Sequence, residues 1–299
     1  MATLICGSLA FDTIMTFEGR FAEQILPEQL HILNVSFLVP ALRRDFGGCA
    51  GNIAYALRQL GGEPLPMATV GNDGAGYVER LRGLGIETRY VRQVADTYTA
   101  QAMIMTDRDN NQITAFHPGA MMQAHTTRIE AGAAKLGIIS PDGRDAMLQH
   151  AGQFSAAGIP FVFDPGQGLP MFDGRELSQF IDQATWVTVN DYEGKMLCER
   201  TGWDNAEISR RVQGLVVTLG GEGCEVWVEG RRTHVPAVRA REVVDPTGCG
   251  DAWRGALLYG LEQGWPLDRC AELGNRVGAL KVASRGPQNW TFDEPAAAR

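Results

Sequence analysis

The sequence predicts an α/β fold built on a mainly parallel sheet, and three observations carry that reading. Short apolar runs alternate with amphipathic segments of helical period, as in strand–helix–strand units. The chain is rich in glycine, with 36, and these fall at the ends of apolar runs, where strands turn into helices. Its 299 residues are 44% hydrophobic and 21% charged. That is the composition of an ordinary globular protein, long for one domain but within reach of a single large α/β unit.

The runs that read as buried strands are TLICG at 3–7, PMATVG at 66–71, LGIIS at 136–140, PFVFD at 160–164, WVTVN at 186–190 and LVVTLG at 215–220. Helical patterns lie at 52–60, 77–84, 144–157, 191–201, 252–263 and 267–283. Ligands of such sheets bind beyond the carboxyl ends of the strands. Two stretches break the rhythm. Residues 11–46 lose clear helical period after Leu30. Residues 99–116, TAQAMIMTDRDNNQITAF, form two alternating runs around an Asn/Asp-rich turn, a hairpin signature. Both stretches are read as strands of a small lid outside the main sheet; an ordinary edge hairpin is the plainer alternative. The tail DEPAAAR reads as loosely ordered.

Composition excludes several classes. A formal net charge of −8 argues against a broad nucleic-acid surface, while leaving room for a local phosphate pocket. The six cysteines form no Cys-x-x-Cys pair, and MATLICGSLAFD starts directly as a strand without a basic leader. Reduced thiols in a cytoplasmic protein are expected. The five histidines lack metal-ligand spacing, so no zinc site is expected. No run of about 18 apolar residues exists to span a membrane.

Five segments carry candidate chemistry. DPTGCGD (245–251) opens onto the helical run AWRGALLYGL. A helix N-terminus presents unpaired N–H groups and partial positive charge, and glycines let an anion approach them closely. Gly248, Cys249 and Gly250 are therefore candidates to cradle a phosphoryl group, with Asp251 beside it as a base for an attacking hydroxyl. A turn followed by an acidic first-turn residue is the plainer reading, equally weighted. GGCAGNIAYALRQLGG (47–62) offers Gly47, Gly48 and Asn52 to a polyhydroxyl ligand; tight helix–sheet packing explains the same glycines. NDYEG (190–194) is a good capping box from Asn190 to Glu193, or else a nucleotide and Mg²⁺ contact. VVTLGGEGCEVWVEG (216–230) reads as a hairpin whose Gly-rich turn could lie along a nucleotide. In GSLAFD (7–12), Asp12 could accept two sugar hydroxyls or be a solvated loop acid.

Together and in this order, these segments resemble the ribokinase/PfkB carbohydrate kinase family over essentially the whole chain. Within it the match is closest to bacterial adenosine (nucleoside) kinases, through GRFAEQILPEQLHILNVSFLV (19–39), FHPGAM (116–121) and VNDYE (189–193). The resemblance implies a ribokinase-like three-layer α/β sandwich, one kinase domain over 1–299 with a β lid from about 11–46 and 95–118, and a homodimer through the lid. It implies ATP-dependent phosphorylation of a nucleoside 5′-hydroxyl, first of all adenosine, with a purine range extending to inosine or guanosine. By position, Asp251 is the base and Gly248–Gly250 the anion hole. Ser8, Asp12, Gly47, Gly48 and Asn52 hold the ribose; Ser36, Phe116 and Gln167 line the base pocket. Asn190, Thr218, Leu219, Gly220, Gly221, Glu222 and Gly223 contact ATP, and Glu193 orders Mg²⁺ through water. Asp245, Thr247 and the 284–289 loop resemble a monovalent-cation site, for K⁺.

The chain departs from the family pattern at Pro246 and Cys249, and at Ala102 and Gly168, where some relatives carry larger residues; both of the latter would enlarge the base pocket. A sugar kinase acting on ribose or a fructose phosphate is the alternative, with Arg43 and Arg44 as candidate phosphate ligands. A dinucleotide-dependent oxidoreductase would need Gly-x-Gly-x-x-Gly after the first strand, which CGSLAFD does not supply. A non-catalytic sensor on the same fold would not need Asp251.

Overall fold

The computed structural model describes residues 2–25, 31–32 and 34–293. Residues 26–30 and 33 of the expected lid insert, and all of the expected loose tail after Asp293, lie outside the described residues. The strands are β1 (Ala2–Cys6), β2 (Ala10–Thr16), β3 (Ala41–Gly47), β4 (Glu63–Val70), β5 (Val91–Gln93), β6 (Ala100–Thr106), β7 (Gln112–His117), β8 (Leu136–Ile139), β9 (Phe161–Phe163), β10 (Trp186–Asn190), β11 (Gly214–Thr218), β12 (Cys224–Val228) and β13 (Arg231–Val235). The helices are α1 (Phe21–Gln24), α2 (Cys49–Gln59), α3 (Ala75–Gly83), α4 (Arg144–Ala156), α5 (Gly174–Gln183), α6 (Asp191–Thr201), α7 (Asn205–Arg211), α8 (Cys249–Glu262) and α9 (Leu267–Lys281).

A nine-stranded sheet runs in the order β13-β12-β11-β10-β9-β8-β1-β4-β5. It is parallel from β5 to β11, and the β12–β13 hairpin closes one edge antiparallel. Its central strands are apolar along their length because both faces are covered. Leu4, Ile139, Phe161 and Phe163 pack on one face beneath residues of α4 and α5. Ile5, Ile138 and Val162 pack on the other, beneath residues of α2 and α8. This is the expected three-layer α/β sandwich. The chain leaves β1 toward β4 on one side and later returns through β8 on the other, so the strand order reverses between β1 and β8. A crevice opens at such a reversal, beyond the carboxyl ends of the strands.

The four-stranded second sheet, β3-β2-β6-β7, stands apart from the first. Both stretches that break the α/β rhythm supply it, and β6 and β7 are the expected hairpin. Asp107 fixes the hairpin turn: its Oδ1 accepts from the N–H groups of Asp109 and Asn111, each at 2.9 Å. Its Oδ2 accepts from Phe21 N at 3.0 Å, which ties α1 to the hairpin. Phe17, Phe21 and Phe37 pack ring against ring beside it.

Some boundaries differ from the sequence reading. The helical pattern at 252–263 begins earlier, at Cys249, because Gly248 takes a left-handed conformation (φ 76°) as N-cap. The end of DPTGCGD is thus the first turn of α8 itself. Helices α5 and α7 and strands β5 and β13 were not among the expected elements. One contact sets the position of the site. A Cβ on Gly255 would lie 2.5 Å from Ala56 Cβ and 3.0 Å from Ile53 O, so the absent side chain lets α8 approach α2 backbone to backbone. The first turns of these two helices carry Asp251 and Asn52.

Candidate active site

The crevice is built from helix mouths. After β1 the chain passes Gly7 and Ser8 and meets the start of α2, where Cys49 N donates to Ser8 Oγ at 3.2 Å and Ala50 N to Ser8 O at 3.0 Å. Gly48 makes this approach possible: its φ is 83°, and a Cβ would overlap Ser8 O. Gly47 has a different neighbour, since a Cβ there would overlap the Asp12 carboxylate.

Asn52 Nδ2 donates to Asp251 Oδ2 at 2.8 Å. The amide is oriented from behind. Its Oδ1 accepts from Gln288 Nε2 at 3.0 Å, and that nitrogen also donates to Tyr77 Oη at 2.8 Å. Tyr77 Oη donates in turn to Gly47 O at 2.6 Å, and Arg80 holds the main-chain oxygen of Gln288 at 2.7 Å. The Gly47 carbonyl can only accept, which sets the direction of each bond along this chain, so Asn52 presents N–H to the carboxylate. Tyr77, Arg80 and Gln288 escaped the sequence reading.

Burial pushes Asp251 up to about 6, opposed by the Asn52 hydrogen bond and the Arg254 charge. Burial also pushes Asp12 up to about 6, with Asp45, Asp251 and Asp245 adding to it and Arg43 opposing. If Asp251 must be ionised to accept a proton, turnover rises with pH through this window and then levels. The two acids share that window, so the limb belongs to both. Asn52→Leu removes a bond that stabilises the charged form. The acid limb of kcat should move upward by about one pH unit, the order of a hydrogen bond to a charged group. A pH profile of the variant checks this; an unmoved limb would separate Asp251 from the rate.

At the mouth of α8 no side chain caps the helix. Cys249 N is engaged by Pro246 O at 3.1 Å, which changes the expected anion hole. Gly250 and Asp251 then contribute the first-turn N–H groups that have no carbonyl four residues behind them within the helix. The Cys249 thiol points toward Asp245 O at 3.9 Å.

Arg254, one turn along α8, is a further residue the sequence reading missed. Its Nε lies 2.6 Å from Asp164 Oδ2 and its Nη2 3.8 Å from Glu193 Oε2. Ser140 Oγ donates to the same Asp164 oxygen at 2.9 Å. Asn190 and Glu193 form the capping box of α6, each side chain accepting from the other's N–H at 2.8 Å. The plainer reading of this pair is therefore realised, and Arg254 connects it to the mouth of α8. Thr218 ends β11 beside Val189, with Oγ1 at 3.4 Å from Val189 O. Leu219 to Gly223 form the tight turn to β12, closed by Leu219 N on Gly223 O at 2.8 Å.

In the second sheet, Asp45, Asp12, Ala102 and Phe116 lie opposite one another across all four strands. Cross-strand neighbours share a face, so Phe116 stands on the same face as Asp12. Phe116 is 53% exposed, and Ser36 and Gln167 are exposed as well. All three stand outside the hydrogen-bonded cluster around Asp251. Gly168 does not open space as expected: a Cβ there would touch Met171 Cε at 3.1 Å and Met147 Sδ at 3.4 Å. Arg43 pairs with Asp45 at 3.0 Å and Asp245 at 3.5 Å, and Arg44 with Asp73 at 2.9 Å. The 245–247 turn is closed by Asp245 itself, whose carboxylate accepts from Thr247 N and Gly286 N, each at 2.9 Å.

The model of the pfkB family of carbohydrate kinases matches residues 19–294. The chain belongs to this family. As a pfkB-family kinase it moves a phosphoryl group to a hydroxyl. It is 54% identical to the nucleoside kinase of Burkholderia thailandensis solved in complex with inosine, covering 99% of this chain and 94% of that one, with a TM-score of 0.88. The same enzyme solved in complex with ADP-inosine is matched at 55% identity, 99% and 92% coverage and a TM-score of 0.85. The nucleoside kinase of Methanocaldococcus jannaschii is 29% identical over 292 residues, 96% of this chain and 93% of that protein. Among the described residues, no helix is long and apolar enough to cross a membrane.

Proposed function

We propose that the protein transfers the γ-phosphoryl group of ATP to the 5′-hydroxyl of nucleosides, with a purine range that includes adenosine, inosine and guanosine. One observation carries the reading: Asp251 sits at an uncapped helix mouth, held by Asn52, in the crevice where the strand order reverses. Asp251 accepts the hydroxyl proton as the oxygen attacks the γ-phosphorus and the bond to ADP breaks. The free N–H groups of Gly250 and Asp251 hold the transferred oxygens. Asp12, Ser8, Gly47, Gly48 and Asn52 surround the ribose, and Phe116, Ser36 and Gln167 face the base. Asn190 and the turn from Thr218 to Gly223 lie along ATP. The ADP-inosine and inosine complexes of the Burkholderia enzyme support this assignment of ligands.

Among the described residues no cluster of three or more His, Cys, Asp or Glu could cage a metal. Mg²⁺ keeps several waters and rests on nucleotide phosphates with one or two carboxylates. Glu193 is the carboxylate assigned to its water shell, and its Oε2 also serves the cap. Mg²⁺, when bound, neutralises charge on the transferred group.

Two further features support the finer reading. Arg43 and Arg44 are committed to carboxylates, which disfavours the phosphosugar alternative. The outer face of the second sheet exposes Leu42, Met103 and Ile113, in keeping with a homodimer through the lid.

Phe116→Ala separates nucleoside from sugar. Stacking on one aromatic ring is worth about 1–3 kcal/mol per base. The variant should lose that much in kcat/KM for adenosine and inosine and far less for ribose. Equal losses on ribose and adenosine would contradict the nucleoside reading.

A further inference from the structure

One buried charge has no part in the chemistry above. Lys281, in the last turn of α9, is 0% exposed. An ammonium out of water is costly unless its protons are taken up. Its Nζ donates to Asp245 O at 2.8 Å and to Ser284 O at 3.2 Å. Both acceptors are main-chain carbonyls, one from the turn that leads into α8 and one from the loop after α9. The two segments are also joined by Gly286 N on Asp245 Oδ2 at 2.9 Å. An ammonium is a compact point charge with donors that rotate freely.

The family resemblance placed a K⁺ site at Asp245, Thr247 and the 284–289 loop. Asp245 and Ser284 belong to those two segments, and their carbonyls are engaged by Lys281. We propose that Lys281 is a tethered replacement for the monovalent cation. Its charge holds the 245–247 turn against the 284–286 loop and so positions the first turn of α8, which makes the enzyme independent of K⁺. Lys281 acts through that turn and is a positioning residue. Only the activity arm of the test rests on the nucleoside-kinase reading.

The test compares wild type with Lys281→Met, which keeps an unbranched stem and loses the charge. Each is measured in choline, sodium and potassium chloride at equal ionic strength. Three quantities are read: melting temperature, ADP affinity by calorimetry, and turnover of inosine. Wild type should give the same values in all three salts to within about twofold in affinity and turnover. Lys281→Met should melt lower and lose about tenfold or more in turnover in choline, and potassium should restore part of all three readings. If Lys281→Met does not fold, the wild-type series still decides. Potassium dependence of wild type would overturn the proposal. So would a folded Lys281→Met whose melting temperature and ADP affinity do not respond to potassium, because a purely structural lysine gives that result. Melting and ADP binding need no nucleoside, so failure of the acceptor assignment would leave this test intact.

Discussion

Asp251→Asn should fold normally, bind nucleoside and ADP, and turn over about 10²–10⁴-fold more slowly, the scale of a positioned general base. The amide is nearly isosteric and can still meet Asn52 through its own oxygen, so the contact at 2.8 Å has a substitute. What it cannot do is take the proton from the attacking hydroxyl. The loss should therefore appear in kcat, with KM little changed, since ground-state binding does not require a base. The acid limb that burial places near pH 6 should flatten, leaving only the Asp12 contribution. Steady-state kinetics across pH, with melting temperature as the control for folding, check both points. A folded variant with near-normal turnover would remove Asp251 from the mechanism.

Arg254→Met should be the most destabilising of the single changes considered. The guanidinium and the Asp164 carboxylate are 7% and 2% exposed and 2.6 Å apart. Deleting one partner of such a pair strands the other and costs about 3–5 kcal/mol. Methionine fills much of the volume but leaves that Asp164 oxygen to the Ser140 hydroxyl. There is a second consequence. The Arg254 charge opposes the upward push of burial on Asp251 and on Glu193. Removing it should raise both acids, so the acid limb of turnover should shift to higher pH. Urea unfolding gives the stability change, and the pH profile gives the shift. A loss below about 1 kcal/mol would contradict the part given to this buried pair in stability.

The fold was legible in the sequence wherever a local signal was strong. The apolar runs at 136–140, 160–164 and 186–190 became β8, β9 and β10 because a doubly covered strand has no solvent face to alternate with. The Asn/Asp turn of 99–116 became the β6–β7 hairpin because Asp107 closes it locally. Helices α5 and α7 carry the same kind of signal as α6: Asp173 is followed three residues on by Glu176, and Asp204 by Glu207. Helix α7 has only seven residues and one buried apolar side chain, Ile208, whereas α5 buries Leu177, Phe180 and Ile181 at helical spacing, a signal the sequence reading passed over.

The candidate site divides the same way. Its helix mouths announce themselves through glycines and acids in sequence. Its supports do not. Gln288 meets Asn52 across 236 positions, and Lys281 meets Asp245 across 36. In sequence Lys281 is one more basic residue at a helix end. Only tertiary packing turns it inward. The N–H of Cys249 was expected to face the anion, and the turn geometry gives it to Pro246 O instead. That distinction rests on one dihedral, the left-handed Gly248, which local sequence permits but does not dictate.

Whether the protein is a nucleoside 5′-kinase is tested most directly by product analysis. The purified protein is incubated with ATP and Mg²⁺ and, separately, adenosine, inosine, guanosine and ribose, and each phosphorylated product is identified by phosphorus–proton NMR. The account predicts nucleoside 5′-monophosphates from adenosine and inosine, formed faster than any ribose phosphate. Ribose as the best acceptor, or phosphate on a hydroxyl other than the 5′, would contradict it.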